Sequence, residues 1–373
     1  YQQTLDKKHL FKAIAICEEQ IKANIDEHEF HVLMSRCYWL LAMETEAIKE
    51  ITHEHMDIKD ILLESLGYLI FPIFAELGYS NASHDHLIKK HSDLLKSHQM
   101  YIRDNVVNAI DEMNWDAYDD LFSFENDLGH SKLQAAIDFS ECLNQLKECI
   151  IHSFENGRFQ KSMCQTKLQC ILQSCPHVDC ATLVNNSDYS AALTDAFFTL
   201  PHSPLMTPFF DLINHSSNSE VLCVYNTILK NFNDATTVQP IEASCGHEIN
   251  KLIISLYNAF LSGVDCKNSV EAIIDYYNRE RNSKPCEWVY RVSVNLLINV
   301  VTVGLVYGLK KDLSVHPLSG LLSVIKEEAV KMSSVDGEFA SPIEKAQAAE
   351  LAAAYKEIKR DIERFEAVLK TIN

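Results

Sequence analysis

Glycine and proline are scarce: 10 Gly and 9 Pro make 19 of 373 residues, about 5% where roughly 12% is usual. So few chain breakers exclude a β-sandwich or barrel, which needs many tight turns, and favour long helices. Positive charge is also short. The chain has 33 Lys+Arg against 52 Asp+Glu, a formal charge of −19. No run of Lys or Arg exceeds two residues, so the basic patch that phosphate backbones require is missing and nucleic-acid binding is excluded. Anionic membrane surfaces are disfavoured for the same reason. The natural partners are proteins with basic or apolar faces, or small ligands. Period-2 alternation of β-branched residues is almost absent, leaving room only for a short hairpin within 176–191 or 232–246. Phosphate loops are missing too: Gly157-Arg158-Phe159-Gln160-Lys161-Ser162 lacks the second Gly of a Walker motif, and neither a Rossmann fingerprint nor G-x-S-x-G occurs. No cofactor is expected.

What is present is a globular composition, 47% hydrophobic, with enough length for two domains. Most of the 12 cysteines sit in apolar helical patterns, among them Cys17, Cys37, Cys142, Cys149 and Cys223. Such cysteines behave as small buried hydrophobes, and in a long chain this usage fits a reducing, cytoplasmic setting. No charged-then-apolar signal segment opens the sequence. Val292–Leu309 runs 18 residues without a charge, the short end of a membrane span. It carries Ser293, Asn295, Asn299 and Thr302, and Arg291 abuts it. A central helix buried on all sides reads the same way, and that is the expectation.

Leu10, Ile14, Cys17 and Ile21 mark one face of a first helix. A second runs from about Phe30 to Leu41 and a third from Thr45 to about His53. Asp57 reads as the cap of a fourth, with Ile58, Leu62, Leu66 and Leu69 inward and Pro72 kinking or ending it. Ser83 reads as the cap of a helix through Met100. Ser131 caps another to about Phe154, with Ile137, Leu143, Leu146 and Ile150 inward. Glu155–Ser162 and Pro201–Glu220 read as boundaries, and Phe209, Phe210, Leu212 and Ile213 in the second should pack on the body. The expected divisions are an N-terminal helical body 1–155, a second body 156–332 around the apolar helix 292–309, and a long C-terminal helix 341–372.

That last helix is the clearest signal. Ser341-Pro342-Ile343-Glu344 is a capping box with Pro at the first helical position. Leu351, Ile358, Phe365 and Ile372 recur every 7 residues, and Ala348, Tyr355, Ile362 and Leu369 form a second set. Together they make the a and d positions of a coiled-coil seam. The seam needs another helix against it. A helix of the same chain is the first reading, and a second copy or another protein is the alternative.

Ala13-Ile14-Ala15-Ile16-Cys17 and Ala47-Ile48-Lys49-Glu50-Ile51 are 34 residues apart. Between them, Met34, Ser35 and Tyr38 follow the order large, small, two spacers, aromatic. Residues 9–56 resemble a tetratricopeptide repeat. Leu66-Gly67 restarts the pattern without its following Ala, and Lys59 stands where the family has a helix-ending Pro. The resemblance implies a protein-binding scaffold whose groove between helices is lined by Met34, Tyr38 and Trp39. The abundance of Lys, Asn, Ile and His also resembles proteins that intracellular bacteria export into host cells. That implies a host protein as partner and the host cytosol as location.

Histidine is dense in the first hundred residues. His28-Glu29-Phe30-His31 is one residue short of H-E-x-x-H. His53 or His55, then His84-Asp85, then Asp111 follow the order of the helical metal-dependent phosphohydrolases of the HD class. Such a set would hold a divalent metal and activate water on a phosphoester, although Ser83-His84-Asp85 also reads as a helix cap with acid in the first turn. Cys170, Cys175, His177 and Cys180 could supply four zinc ligands, while ordinary thiols are the simpler reading. Cys245-Gly246-His247 offers a Cys/His pair or a plain turn. Asp336-Gly337-Glu338 with Glu344 resembles the acidic turn of tellurite-resistance-type domains, and a Gly turn feeding a capped helix explains it equally. The sequence therefore favours an all-α chain of helical hairpins with a degenerate repeat at its start. The expected function is a non-catalytic scaffold or adaptor, a metal-dependent hydrolase being the alternative.

Overall fold

The computed structural model describes residues 6–23, 28–51, 64–77, 89, 102, 104–155, 157–175, 178–191, 209–213, 220–233, 240–241, 248–283, 287–311, 315–333 and 341–372. The protein is all-α, as its shortage of chain breakers requires. In chain order come α1 (Lys8–Ala23), α2 (His28–Leu40), α3 (Glu44–Ile51), a 3-10 turn at Gly67–Leu69 and α4 (Phe71–Leu77). A helical stretch, 104–111, precedes α5 (Trp115–Gly129) and α6 (Lys132–Ile151). A two-stranded hairpin, β1 (Phe154–Glu155) and β2 (Arg158–Phe159), leads into α7 (Lys161–Ser174). Then follow α8 (Phe210–Ile213), α9 (Glu220–Asn233), α10 (Glu248–Ser262), α11 (Lys267–Ser283), α12 (Glu287–Lys311), α13 (Leu318–Ser333) and α14 (Pro342–Ile372).

Caps set several of these boundaries. Ser131 begins α6, its Oγ accepting the Gln134 N–H at 3.0 Å, and Ile137, Leu143, Leu146 and Ile150 are buried beneath. Ser341 begins α14, its Oγ accepting the Glu344 N–H at 3.3 Å. Pro72 neither kinks nor ends a helix. It stands in the first turn of α4, where its missing N–H would have had no intrahelical partner. The strand pair also falls elsewhere than expected. Phe154, read as the end of the preceding helix, pairs with Phe159, and Glu155 with Arg158 within the stretch read as a polar boundary, and Gly157 supplies the positive φ of 75° that the tight turn needs. In 178–191 the described residues hold an isolated bridge, Val184 to Ser131, in place of a hairpin, and 234–239 and 242–247 lie outside the described residues.

One hydrophobic cluster runs through the described chain from Leu10 to Leu369. At its centre stands α12, which touches α2, α4, α6, α7, α10, α11, α13 and α14. Its stretch Arg291–Lys310 is 83% buried within the fold, the situation expected of a central core helix. The C-terminal seam is covered by the chain itself, since α14 packs on α13, α6 and α12. One half of its register differs from expectation. Leu351, Ile358 and Phe365 are buried as read, but their companions are Gln347, Ala354, Asp361 and Val368. Ala348 and Tyr355 are half-buried on the flank, and Ile362 and Leu369 widen the stripe. Polar side chains hold seam positions that an apolar-only reading passes over. Phe209 and Leu212 pack on the body as expected, Phe209 stacking on Phe71 with centroids 6.0 Å apart. Cys142 and Cys175, read as separate thiols, are joined in a disulfide that ties α6 to the end of α7.

Candidate interaction site

The start of the chain folds into packed helices, α1 on α2 and α2 on α3. Ser35, the small residue, lets α2 and α3 approach, and its Oγ donates to the Ala47 carbonyl at 2.7 Å. His31 Nδ1 lies 2.8 Å from Glu50 Oε2 in a buried pair between α2 and α3, while His28 is exposed. The end of α2 is a Schellman turn. Ala42 N–H donates to Trp39 O and Met43 N–H to Tyr38 O, both at 2.9 Å, with Ala42 in the left-handed region at φ 60°.

That turn is held from the far end of the chain. Arg291 of α12 spreads its guanidinium over three acceptors: Nε to Leu77 O at 2.8 Å, Nη1 to Ala42 O at 2.6 Å, and Nη2 to Glu44 Oε2 at 2.9 Å. Asn295, one turn on, donates to Ala75 O at 2.6 Å. From α14, Gln347 donates to Leu41 O at 2.8 Å, and Glu350 Oε1 accepts the Thr45 N–H at 3.0 Å. Carbonyls left over at helix ends must find donors when buried, and here later helices supply them. In sequence Arg291 stands only as the flank of an apolar run. Its spacing to Asn295 and Thr302, 4 and 11 residues, places all three on one face of α12 and was the available signal.

Met34, Tyr38 and Trp39, the expected groove lining, are all buried, Trp39 to 1% exposure. They fill the hairpin interior, and Arg36 lies over the Trp39 ring at 4.4 Å. Beside them Glu76 is fully enclosed. Burial pushes its carboxyl up to about 8, against the pull of the Arg36 charge and the Trp39 indole. A small, mainly apolar cleft lies instead between α6, α9, α10 and α12, lined by Leu143, Tyr225, Tyr257, Leu296, Asn299 and Val300 among others.

The other candidates separate. His53, His55, His84 and Asp85 lie outside the described residues, as do Asp57, Ser83, Cys245–His247, Asp336–Glu338 and His177. Asp111 is exposed on the helix 104–111. Of the zinc set, Cys175 is spent in the disulfide and Cys170 is exposed, while burial-side contacts join Cys180 to Asn226 at 3.9 Å. Among the described residues no group of three or more His, Cys, Asp or Glu side chains is arranged to hold a metal.

A second Schellman turn, made by the same bonds, closes the helix 104–111. Met113 N–H donates to Ile110 O at 3.1 Å and Asn114 N–H to Ala109 O at 2.8 Å, with Met113 left-handed at φ 49°. Asn114 then caps α5, its Oδ1 accepting the Ala117 N–H at 3.2 Å. Here the surroundings are open. Met113 is 76% exposed, and Trp115 and Phe122 are each 59% exposed. In sequence this segment stands out only at Asp111. Its aromatic spacing, 115, 118 and 122, was the signal.

A family model described as the non-catalytic subunit of the N-acetyltransferase B (NatB) complex matches residues 1–175. Searching the curated proteins by sequence gives no match. Among solved structures, a chain of the NatB acetyltransferase complex bound to CoA and MES aligns with a TM-score of 0.53 at 12% identity, covering 97% of this chain and 50% of that one. A chain of the NatB complex bound to a bisubstrate inhibitor gives 0.53 at 10% identity, covering 97% and 51%. This chain thus spans about half the length of the solved chains it matches. The N-terminal match carries a family name other than tetratricopeptide, so that resemblance stands only as a helical scaffold. Neither match supports the bacterial-effector resemblance or the HD-type hydrolase. What the solved structures share with this chain is the all-α fold.

Proposed function

We propose that this chain is a non-catalytic scaffold within an N-terminal acetyltransferase assembly of the NatB kind, holding a separate catalytic protein. The observation that carries the reading is the NatB non-catalytic subunit match over 1–175, the part of the chain whose hairpins are braced by Arg291 and Gln347. A scaffold must present its binding faces without yielding, and buried charged bonds from distant helices provide that stiffness. The shared fold along 97% of the chain agrees with this reading. A cytoplasmic location belongs to the same proposal.

The test is co-expression with the catalytic subunit of a NatB complex, followed by gel filtration and an acetyl-transfer assay. A stable one-to-one complex is expected, with transfer seen for the complex and not for this chain alone. A folded chain that fails to bind, or that transfers acetyl groups unaided, overturns the reading.

A further inference from the structure

From residue 104 to residue 129 the chain carries eight carboxylates and no Lys, Arg or His: Asp104, Asp111, Glu112, Asp116, Asp119, Asp120, Glu125 and Asp127. Within this acidic hairpin lies an aromatic stripe. Trp115, Tyr118 and Phe122 are spaced 3 and 4 apart, so they share one face of α5. The side chains keep that register: the Trp115 and Tyr118 rings meet edge to face at 6.2 Å, and Tyr118 and Phe122 stack at 6.3 Å. At 3.6 residues per turn, Asp119 and Glu125 flank the stripe on its two sides. Val107, Ile110 and Met113 add exposed apolar side chains in the preceding helix and turn. Along α5 itself only Leu128 is buried.

We propose that this hairpin is a docking face for a basic amphipathic helix of another protein. Trp and Tyr dominate the binding energy of protein interfaces, and a stripe two turns long offers the apolar anchor. Exposed aromatic side chains rimmed by charged residues mark an interaction site. The flanking carboxylates select the sign of the partner: Lys and Arg beside its apolar face would meet Asp119 and Glu125, and an acidic helix would be repelled. The face lies outside the residues that brace the N-terminal hairpins, so the proposal does not rest on the NatB reading.

The test uses the whole chain and a fluorescent 18-residue amphipathic peptide of Leu and Lys, with a Leu/Glu peptide of the same pattern as control. Saturable one-to-one binding of the Leu/Lys peptide is expected, weakening as salt rises, with none for the Leu/Glu peptide. The double variant Trp115→Ala, Phe122→Ala should weaken it at least tenfold at unchanged circular dichroism. The double variant Asp119→Asn, Glu125→Gln, which leaves the rings in place, should weaken it at least tenfold and flatten the salt dependence. Binding that is absent, or unchanged in both variants, overturns the proposal. So does self-association of the chain that disappears in the Trp115→Ala, Phe122→Ala variant, because the occupant would then be a second copy.

Discussion

Two of the Schellman turns among the described residues put a non-glycine residue in the left-handed region, Ala42 and Met113, and they have opposite fates. The turn after α2 sits in the interior: Ala42 is fully buried and its carbonyl accepts Arg291. The turn after the helix 104–111 sits in solvent with Met113 exposed. Each stands beside a tryptophan, Trp39 on the first and Trp115 on the second, one buried and one bare. Local geometry is the same, so the difference comes from composition around it. Trp39 lies among Leu40, Leu41, Ala42 and Met43. Trp115 lies among Asp111, Glu112, Asp116, Asp119 and Asp120, and carboxylates that cannot be buried without partners hold the whole hairpin at the surface.

The comparison breaks most sharply at Arg291. Replacing Arg291 by Ala removes the guanidinium from Glu44 and from two buried carbonyls, and should cost about 3–5 kcal/mol in urea unfolding. A loss below about 1 kcal/mol would show that the buried turn holds without its brace. Next comes the tryptophan pair. Trp39→Ala should cost about 3–5 kcal/mol through the cavity it leaves, and Trp115→Ala less than about 0.5 kcal/mol. Equal costs would mean that the exposed face is packed after all.

Glu76 gives an effect that depends on pH. Its folded carboxyl titrates near 8, above its unfolded value of 4.5. The native state therefore holds a proton that the unfolded chain has lost, and stability falls as pH rises from about 4.5 through about 8. Glu76→Gln should match the parent near pH 5 and exceed it at pH 9 by an amount on the order of a few kcal/mol. A parallel decline in both proteins would place the titration elsewhere. The smallest effect separates the turns themselves. Met113→Gly should raise stability by about 1 kcal/mol, because a left-handed non-glycine residue costs that much. Ala42→Gly should change little, since the lost burial of a methyl group, about 0.8 kcal/mol, offsets the same relief. Thermal unfolding of the two variants checks both.

Much of the fold was legible because local rules decided it. The Ser131 and Ser341 caps, the burial of Val292–Leu309 and the close approach at Ser35 follow from spacing and side-chain size. The seam of α14 was legible where it is apolar, at Leu351, Ile358, Ile362, Phe365 and Leu369. Gln347 and Asp361 were passed over because groups distant in sequence help make their burial tolerable, Leu41 for the first and Lys147 for the second. The same reason hid Arg291, whose partners lie more than two hundred residues away. Of the candidate site, Met34, Tyr38 and Trp39 were picked out as apolar and helical, and those properties fit a filled interior as well as an open groove. The aromatic stripe of α5 carried a readable period and went unremarked because its carboxylates masked it.

The brace on the α2 turn has a consequence in time. Arg291 follows Ala42 by 249 residues, and Gln347 follows Leu41 by 306. A ribosome adds about 5–20 residues per second, so the first of these donors arrives on the order of 12 to 50 seconds after its acceptor. Throughout that interval the nascent first hairpins carry carbonyls destined for partners not yet made.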